Sequence, residues 1–162
     1  MTYRLIYLPL FAFLISFAKA EETRNLKILY SMSGQCLRFN SSGMDMVNEC
    51  TNKLLQAVYS DGLMSFTFVT ENGLVVTFGG LNAVEVTGQN KAFQIIDHII
   101  LNDQLILTEK GPSSYQAKGA CEYENPFGRV AHINCFAKVE SGFFDAGFIT
   151  DGRYPLFAQL PN

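Results

Sequence analysis

Residues 115–150 read YQAKGACEYENPFGRVAHINCFAKVESGFFDAGFIT. Two β-rich runs, Tyr115–Tyr123 and Arg129–Val139, flank the turn residues Asn125-Pro126-Phe127-Gly128. A third, Phe143–Thr150, follows Ser141-Gly142 and stops at Asp151-Gly152. Three runs divided by turn chemistry read as an antiparallel meander. Along the last run, Phe144, Ala146 and Phe148 fall on one face, and Phe143, Asp145, Gly147 and Ile149 on the other. Both faces carry aromatic mass. Gly147 marks a bulge or a close backbone approach.

The same grammar runs back to Leu54. Met64, Phe66 and Phe68 alternate with Ser65 and Thr67, the period of a half-buried strand. Asn72-Gly73 is a hairpin signal, expected to place both central residues at positive φ. Leu74–Phe78 returns, Gly79-Gly80 breaks it, and Ala83–Thr87 is a short strand ended by Gly88. Phe93–Leu101 is apolar on both faces around Asp97-His98. Asn102-Asp103 turns into Gln104–Thr108, and Gly111-Pro112-Ser113-Ser114 reads as a loop. The expected fold is all-β, an antiparallel sandwich or up-and-down barrel of about eight strands. One stretch breaks the pattern. Asp45 can cap a helix whose face would carry Val47, Cys50, Leu54 and Val58, so one short helix is expected near 45–58, with a loop and strand as the competing reading.

The four cysteines are Cys36, Cys50, Cys121 and Cys135. Both neighbouring pairs are 14 residues apart, and each encloses a turn signal. Of the three possible connectivities, two local disulfides are expected, Cys36–Cys50 and Cys121–Cys135. Each closed loop stabilises by roughly 3 kcal/mol in the chain-entropy model. A zinc site lacks the usual two- to four-residue cysteine spacing, so no metal is expected.

Disulfides need an oxidising compartment, and the first 20 residues supply a route to one. Arg4 precedes the apolar run Leu5–Ala18, and Ala18-Lys19-Ala20 places small residues at the cleavage positions before Glu21-Glu22. Residues 1–20 are read as a secretory signal and 21–162 as one β-rich domain, secreted or periplasmic. The run is shorter than the about 20 residues of a spanning helix, and no stable membrane span is expected after its removal. Losing Arg4 and Lys19 takes the 12 basic residues to ten against 15 acidic ones, a net charge of −5 instead of −3. That acidity argues against a nucleic-acid partner, which would require surplus Lys and Arg.

The catalytic vocabulary is thin. No G-x-S-x-G, H-E-x-x-H, P-loop or G-x-G-x-x-G occurs, and no cofactor is expected. The two histidines are the candidates. His98 follows Asp97, but strict strand alternation would send the two side chains to opposite faces and forbid a dyad. His132 and Asn134 would share one face beside Val130 and Phe136, either lining a pocket or forming the polar part of a partly solvated face, the second reading being the favoured one. Glu122 and Glu124 form an i, i+2 acidic pair. Asn40-Ser41-Ser42 fits the N-glycosylation acceptor pattern.

With 162 residues, 48% hydrophobic and 17% charged, the chain builds one ordinary domain. A stapled, exported β-domain without a catalytic motif is expected to be a binding or structural module for a protein partner or a small apolar ligand. The competing readings are a secreted hydrolase whose site is assembled from distant strands, and an inhibitor or effector acting through Gly111–Ser114. A histidine gathered with a carboxylate in a pocket would favour the enzyme; exposed aromatic surface would favour binding.

Overall fold

The computed structural model describes residues 25–81, 84–85, 90–103 and 111–159. The signal segment and the expected strand Gln104–Thr108 lie outside them. Among the described residues no helix is long and apolar enough to cross a membrane.

Among the described residues, eleven strands form one antiparallel sheet: β1 Leu26–Ser41, β2 Met44–Asp45, β3 Cys50–Tyr59, β4 Leu63–Thr70, β5 Leu74–Leu81, β6 Val84–Glu85, β7 Lys91–Asp103, β8 Ser113–Glu124, β9 His132–Val139, β10 Gly142–Thr150 and β11 Leu156–Gln159. Eight of them, β1-β3-β4-β5-β7-β8-β9-β10, follow one another in space. The far half of β1 pairs back onto β10, from Gly34↔Thr150 to Ser41↔Phe144, and closes the barrel. Closure removes the sheet edges that a sandwich would leave, which settles the choice in favour of the up-and-down barrel.

β1 makes closure possible by serving two neighbours in turn. Leu26–Ser33 pairs with β3, and from Gly34 onward the strand pairs with β10. At that change of partner a Cβ on Gly34 would stand 2.0 Å from the carbonyl oxygen of Ile149. Only glycine permits the approach.

The barrel interior is filled rather than hollow. Phe39, Phe66, Phe68, Phe78, Phe144 and Phe148 are fully buried, with Met32, Leu54, Ile96, Ile99 and Ile133 between them. Phe39 stacks on Phe68 at 5.9 Å, and Phe68 meets Phe78 edge-on at 5.8 Å. These residues sit at alternate strand positions, so the sequence period becomes a phenylalanine core. In β10 the Phe144/Ala146/Phe148 face is the inner one.

Both local disulfides form. Cys121 stands directly opposite Cys135 in the β8–β9 ladder, with Cα atoms 4.0 Å apart. Cys36–Cys50 spans 6.1 Å between β1 and the start of β3.

The short helix near 45–58 does not form. Asp45 accepts a hydrogen bond from the Val47 N–H at 3.1 Å, but the cap position falls on Met46, which makes no side-chain capping bond, and only a 3₁₀ turn, Val47–Glu49, follows. From Cys50 the chain is strand β3. Leu54 and Gln56 are buried at period two, and the β1 and β4 ladders outweigh a marginal helical face. The β4–β5 hairpin also differs from expectation. It is a three-residue loop, Glu71–Gly73, in which only Gly73 takes positive φ (89°). Thr70 Oγ1 accepts the Leu74 N–H at 2.9 Å and holds the loop shut.

Candidate functional site

β7 carries the first correction. Its pairing with β8 runs Ile96↔Gly119 and then His98↔Gln116, a register shift at Asp97. The shift sets Ala117 and Lys118 of β8 against Asp97 alone. On β7 the buried positions Ile96 and Ile99 stand three apart, so alternation slips at Asp97-His98, and Asp97 Oδ1 is hydrogen-bonded to His98 Nδ1. The dyad that strict alternation forbids exists. It lies on the outer wall, with Asp97 52% exposed and the His98 ring 19% exposed. The ring rests over Gly79 of β5, its register partner. Nδ1 is held on the carboxylate, and Nε2 is the ring atom turned closest to Gly79, so it faces the β5 backbone.

His132 has a carboxylate too. Glu124 Oε2 accepts from the His132 backbone N–H at 2.9 Å and contacts its Nδ1 at 3.1 Å, tying the end of β8 to the start of β9. The backbone N–H of His132 is the main cause that holds the Glu124 carboxyl below its ordinary range, and the imidazole adds to it. Beside this pair, Lys91 is bonded to Glu122, which raises the ammonium above its ordinary range. Asn134 does not join His132 in a pocket. Its Oδ1 lies 3.2 Å from where a Cβ on Gly147 would stand, with Arg38 3.6 Å from the same point. Gly147 is thus the close-approach glycine, leaving room for Asn134 and Arg38 on the outer face of β10. Arg38 Nε in turn bonds Asp145 Oδ2 at 2.6 Å.

The structure gives each histidine its own carboxylate partner and gathers neither with the other. Among the described residues, no three His, Cys, Asp or Glu side chains stand together as a metal set. Ser113 and Ser114 belong to β8, so the loop expected at Gly111–Ser114 keeps only Gly111-Pro112 outside a strand. Asn40 of the acceptor pattern turns its Oδ1 onto the Gly43 N–H at 2.9 Å, inside the β1–β2 turn.

The surface offers another site. Phe136 and Phe143 project outward from β9 and β10 with ring centroids 6.1 Å apart, 50% and 40% exposed. With Lys138, Glu140 and Ser141 they border a groove of about 660 Å³ at the hairpin tip. That is the size range of ligand clefts. Both rings sit on the strand faces opposite the core. For Phe143 the sequence signal was the aromatic mass on both faces of β10; for Phe136 it was its place beside His132 and Asn134.

Compared with known proteins, the chain matches no family model, no curated protein and no solved structure. Function has to be read from the molecule. A small disulfide-bonded β-barrel fits a secreted binding or structural module, and its two disulfides suit an oxidising, extracellular or periplasmic setting.

Proposed function

We propose that the chain is an exported binding module and that the groove beside Phe136 and Phe143 holds an apolar side chain or short segment of a protein partner. The observation that carries this reading is the exposed phenylalanine pair across β9 and β10, bordering a groove of about 660 Å³. Exposed rings cost free energy in water and regain it when a partner covers them. Lys138 and Glu140 at the rim supply one charge of each sign to orient that partner. Export rests on the leader-like residues 1–20 and agrees with the disulfides.

The test uses the oxidised chain as bait in the culture fluid or envelope fraction of its source. A partner retained by the native chain and lost with both Phe136→Ser and Phe143→Ser, the barrel intact by circular dichroism, supports the groove. Retention unchanged by both substitutions overturns it.

The hydrolase reading has one observation in its favour, the Asp97–His98 pair. It needs a nucleophile and an oxyanion hole as well. β5 is paired along both edges at Gly79, whereas the β7–β8 ladder is interrupted at Asp97 and β8 meets β9 only from Lys118 onward, and no pair of inward-aimed N–H groups stands beside His98 among the pairings described. Ser65, the outer-wall hydroxyl in register with Gly79, is buried. The binding reading is therefore the stronger.

A further inference from the structure

The seam where β1 parts from β3 is an open cleft. The two strands pair as far as Ser33↔Lys53 and no further, although β1 runs on to Ser41 and β3 reaches back to Cys50. Along this seam lie cavities of about 490 Å³ and about 410 Å³, which share Gly34, Gln35 and Asn52. The larger one continues past Lys53 to a second wall made by Val130, Ile149, Asp151 and Arg153. The Cys36–Cys50 disulfide ties the far end, with Cα atoms 6.1 Å apart. Adjacent strands stand about 4.8 Å apart, so inserting one between β1 and β3 needs about twice that spacing. The occupant is therefore not an added peptide strand.

The lining is polar and carries one net positive charge. Lys53 Nζ donates to Ser33 Oγ at 2.6 Å, and among the described residues it meets no carboxylate. The closest approach of Arg153 to Asp151 is Nε to Oδ2 at 3.6 Å, too long for a hydrogen bond, and its side chain is 86% exposed. Asp151 Oδ1 is occupied by the Arg153 backbone N–H at 3.0 Å. Lys53 and Arg153 against Asp151 thus leave a positive cleft on a chain whose total charge is −3. The backbone adds to it. Ser33 O accepts the Asp151 N–H at 2.9 Å, so by alternation the peptide groups of Gly34 face the cleft, where β3 no longer pairs. The exposed amides of Gln35 and Asn52 can donate and accept. Val130 and Ile149 supply an aliphatic surface on the second wall.

We infer that this seam is a second binding site, distinct from the Phe136–Phe143 groove, and that its ligand is an acidic sugar: a polyhydroxylated ring bearing one carboxylate or phosphate. The acid group lies between Lys53 and Arg153. The hydroxyls, each donor and acceptor, match Gln35, Asn52 and Ser33, and the C–H face of the ring lies on Val130 and Ile149. A bare anion would use only the cations, and a neutral sugar would leave both cations unmatched.

Titration calorimetry of the oxidised chain tests this with xylobiose bearing one glucuronic acid, the same trisaccharide with its carboxyl reduced to the alcohol, a glucose monophosphate, and inorganic phosphate. At least one of the two acidic sugars should bind with Kd below about 1 mM, and the tighter one names the acid group. The neutral trisaccharide and inorganic phosphate should each bind at least about tenfold more weakly. Lys53→Gln and Arg153→Gln should each weaken the acidic sugar about tenfold, as should raising salt from about 20 mM to about 500 mM. Gln35→Ala should weaken the acidic sugar and leave inorganic phosphate unchanged. All three residues are exposed, so circular dichroism should not change. No binding of either acidic sugar up to about 10 mM overturns the inference. Inorganic phosphate binding as tightly as the acidic sugar makes the cleft a plain anion site and overturns the sugar assignment. Binding that survives both Lys53→Gln and Arg153→Gln places the ligand elsewhere and overturns it as well. Partner capture lost with Phe136→Ser reports on the groove whatever the calorimetric result.

Discussion

The imidazole of His98 occupies the space in which any side chain on Gly79 would stand: a Cβ there would lie 2.1 Å from Nε2. The two residues are register partners on β5 and β7, and the absence of a side chain on one gives the other its seat. Gly79→Ala should therefore displace the ring and destabilise the barrel by about 1–3 kcal/mol, the usual cost of overpacking. His98→Ala in the same chain should recover most of that loss. A double-mutant cycle by urea denaturation reads the coupling, and strictly additive losses would refute this seating.

Two phenylalanines of β10 should respond very differently to truncation. Phe148 is fully buried, whereas Phe143 is 40% exposed. Phe148→Ala should cost about 3–5 kcal/mol through the cavity it leaves, and Phe143→Ala less than about 1 kcal/mol. Chemical denaturation of both variants checks the contrast. Equal losses would mean that Phe143 is core and the groove is misassigned.

Glu124 should give the barrel a small acid-sensitive term. Its carboxyl is held below the ordinary value in the folded chain, first by the His132 N–H. The ionised form is thus favoured by folding, and this stability is present above the unfolded-state value of about 4.3 and lost as pH falls through the lower folded value. Glu124→Gln should reduce stability at pH 7 by no more than about 1 kcal/mol, because the pair is only partly covered. The difference between native and variant chains should close below pH 4, and denaturation across that range measures it. A gap that widens on acidification would contradict the sign.

Removing either disulfide should weaken the fold without changing its topology. Replacing Cys121 and Cys135 together by Ala should cost about 2–4 kcal/mol, and the same change at Cys36 and Cys50 a similar amount. A non-reducing peptide map should show two links, each closing a 14-residue separation. A Cys50–Cys121 link would overturn the pairing.

Much of this architecture was legible in the chain. Alternation in Met64–Phe68 and in Phe143–Thr150 identified the strands and sorted β10 into two faces, but both carry phenylalanine, so only the structure decided which is inner. The equal cysteine spacings named both disulfides, because antiparallel hairpins bring residues symmetric about a turn together. The leader-like residues 1–20 and the absence of cofactor motifs are properties of local sequence and needed no fold to be read. Periodicity failed where two signals overlapped. Asp45–Tyr59 carries both a cap residue and a helical face, and only the neighbouring strands β1 and β4 decided for a strand.

Tertiary structure alone decided the rest. Barrel and sandwich share the same strand pattern; the choice depends on β1 exchanging β3 for β10 at Gly34, a contact between residues more than 100 positions apart. The Asp97–His98 pair depends on a slip in alternation between Ile96 and Ile99, where the register of β7 against β8 shifts, and neither strand encodes that register by itself. The Phe136–Phe143 groove is likewise a product of pairing. Local sequence can say that a residue is apolar and where its face points, but whether another strand covers that face is decided only when the chain has closed on itself.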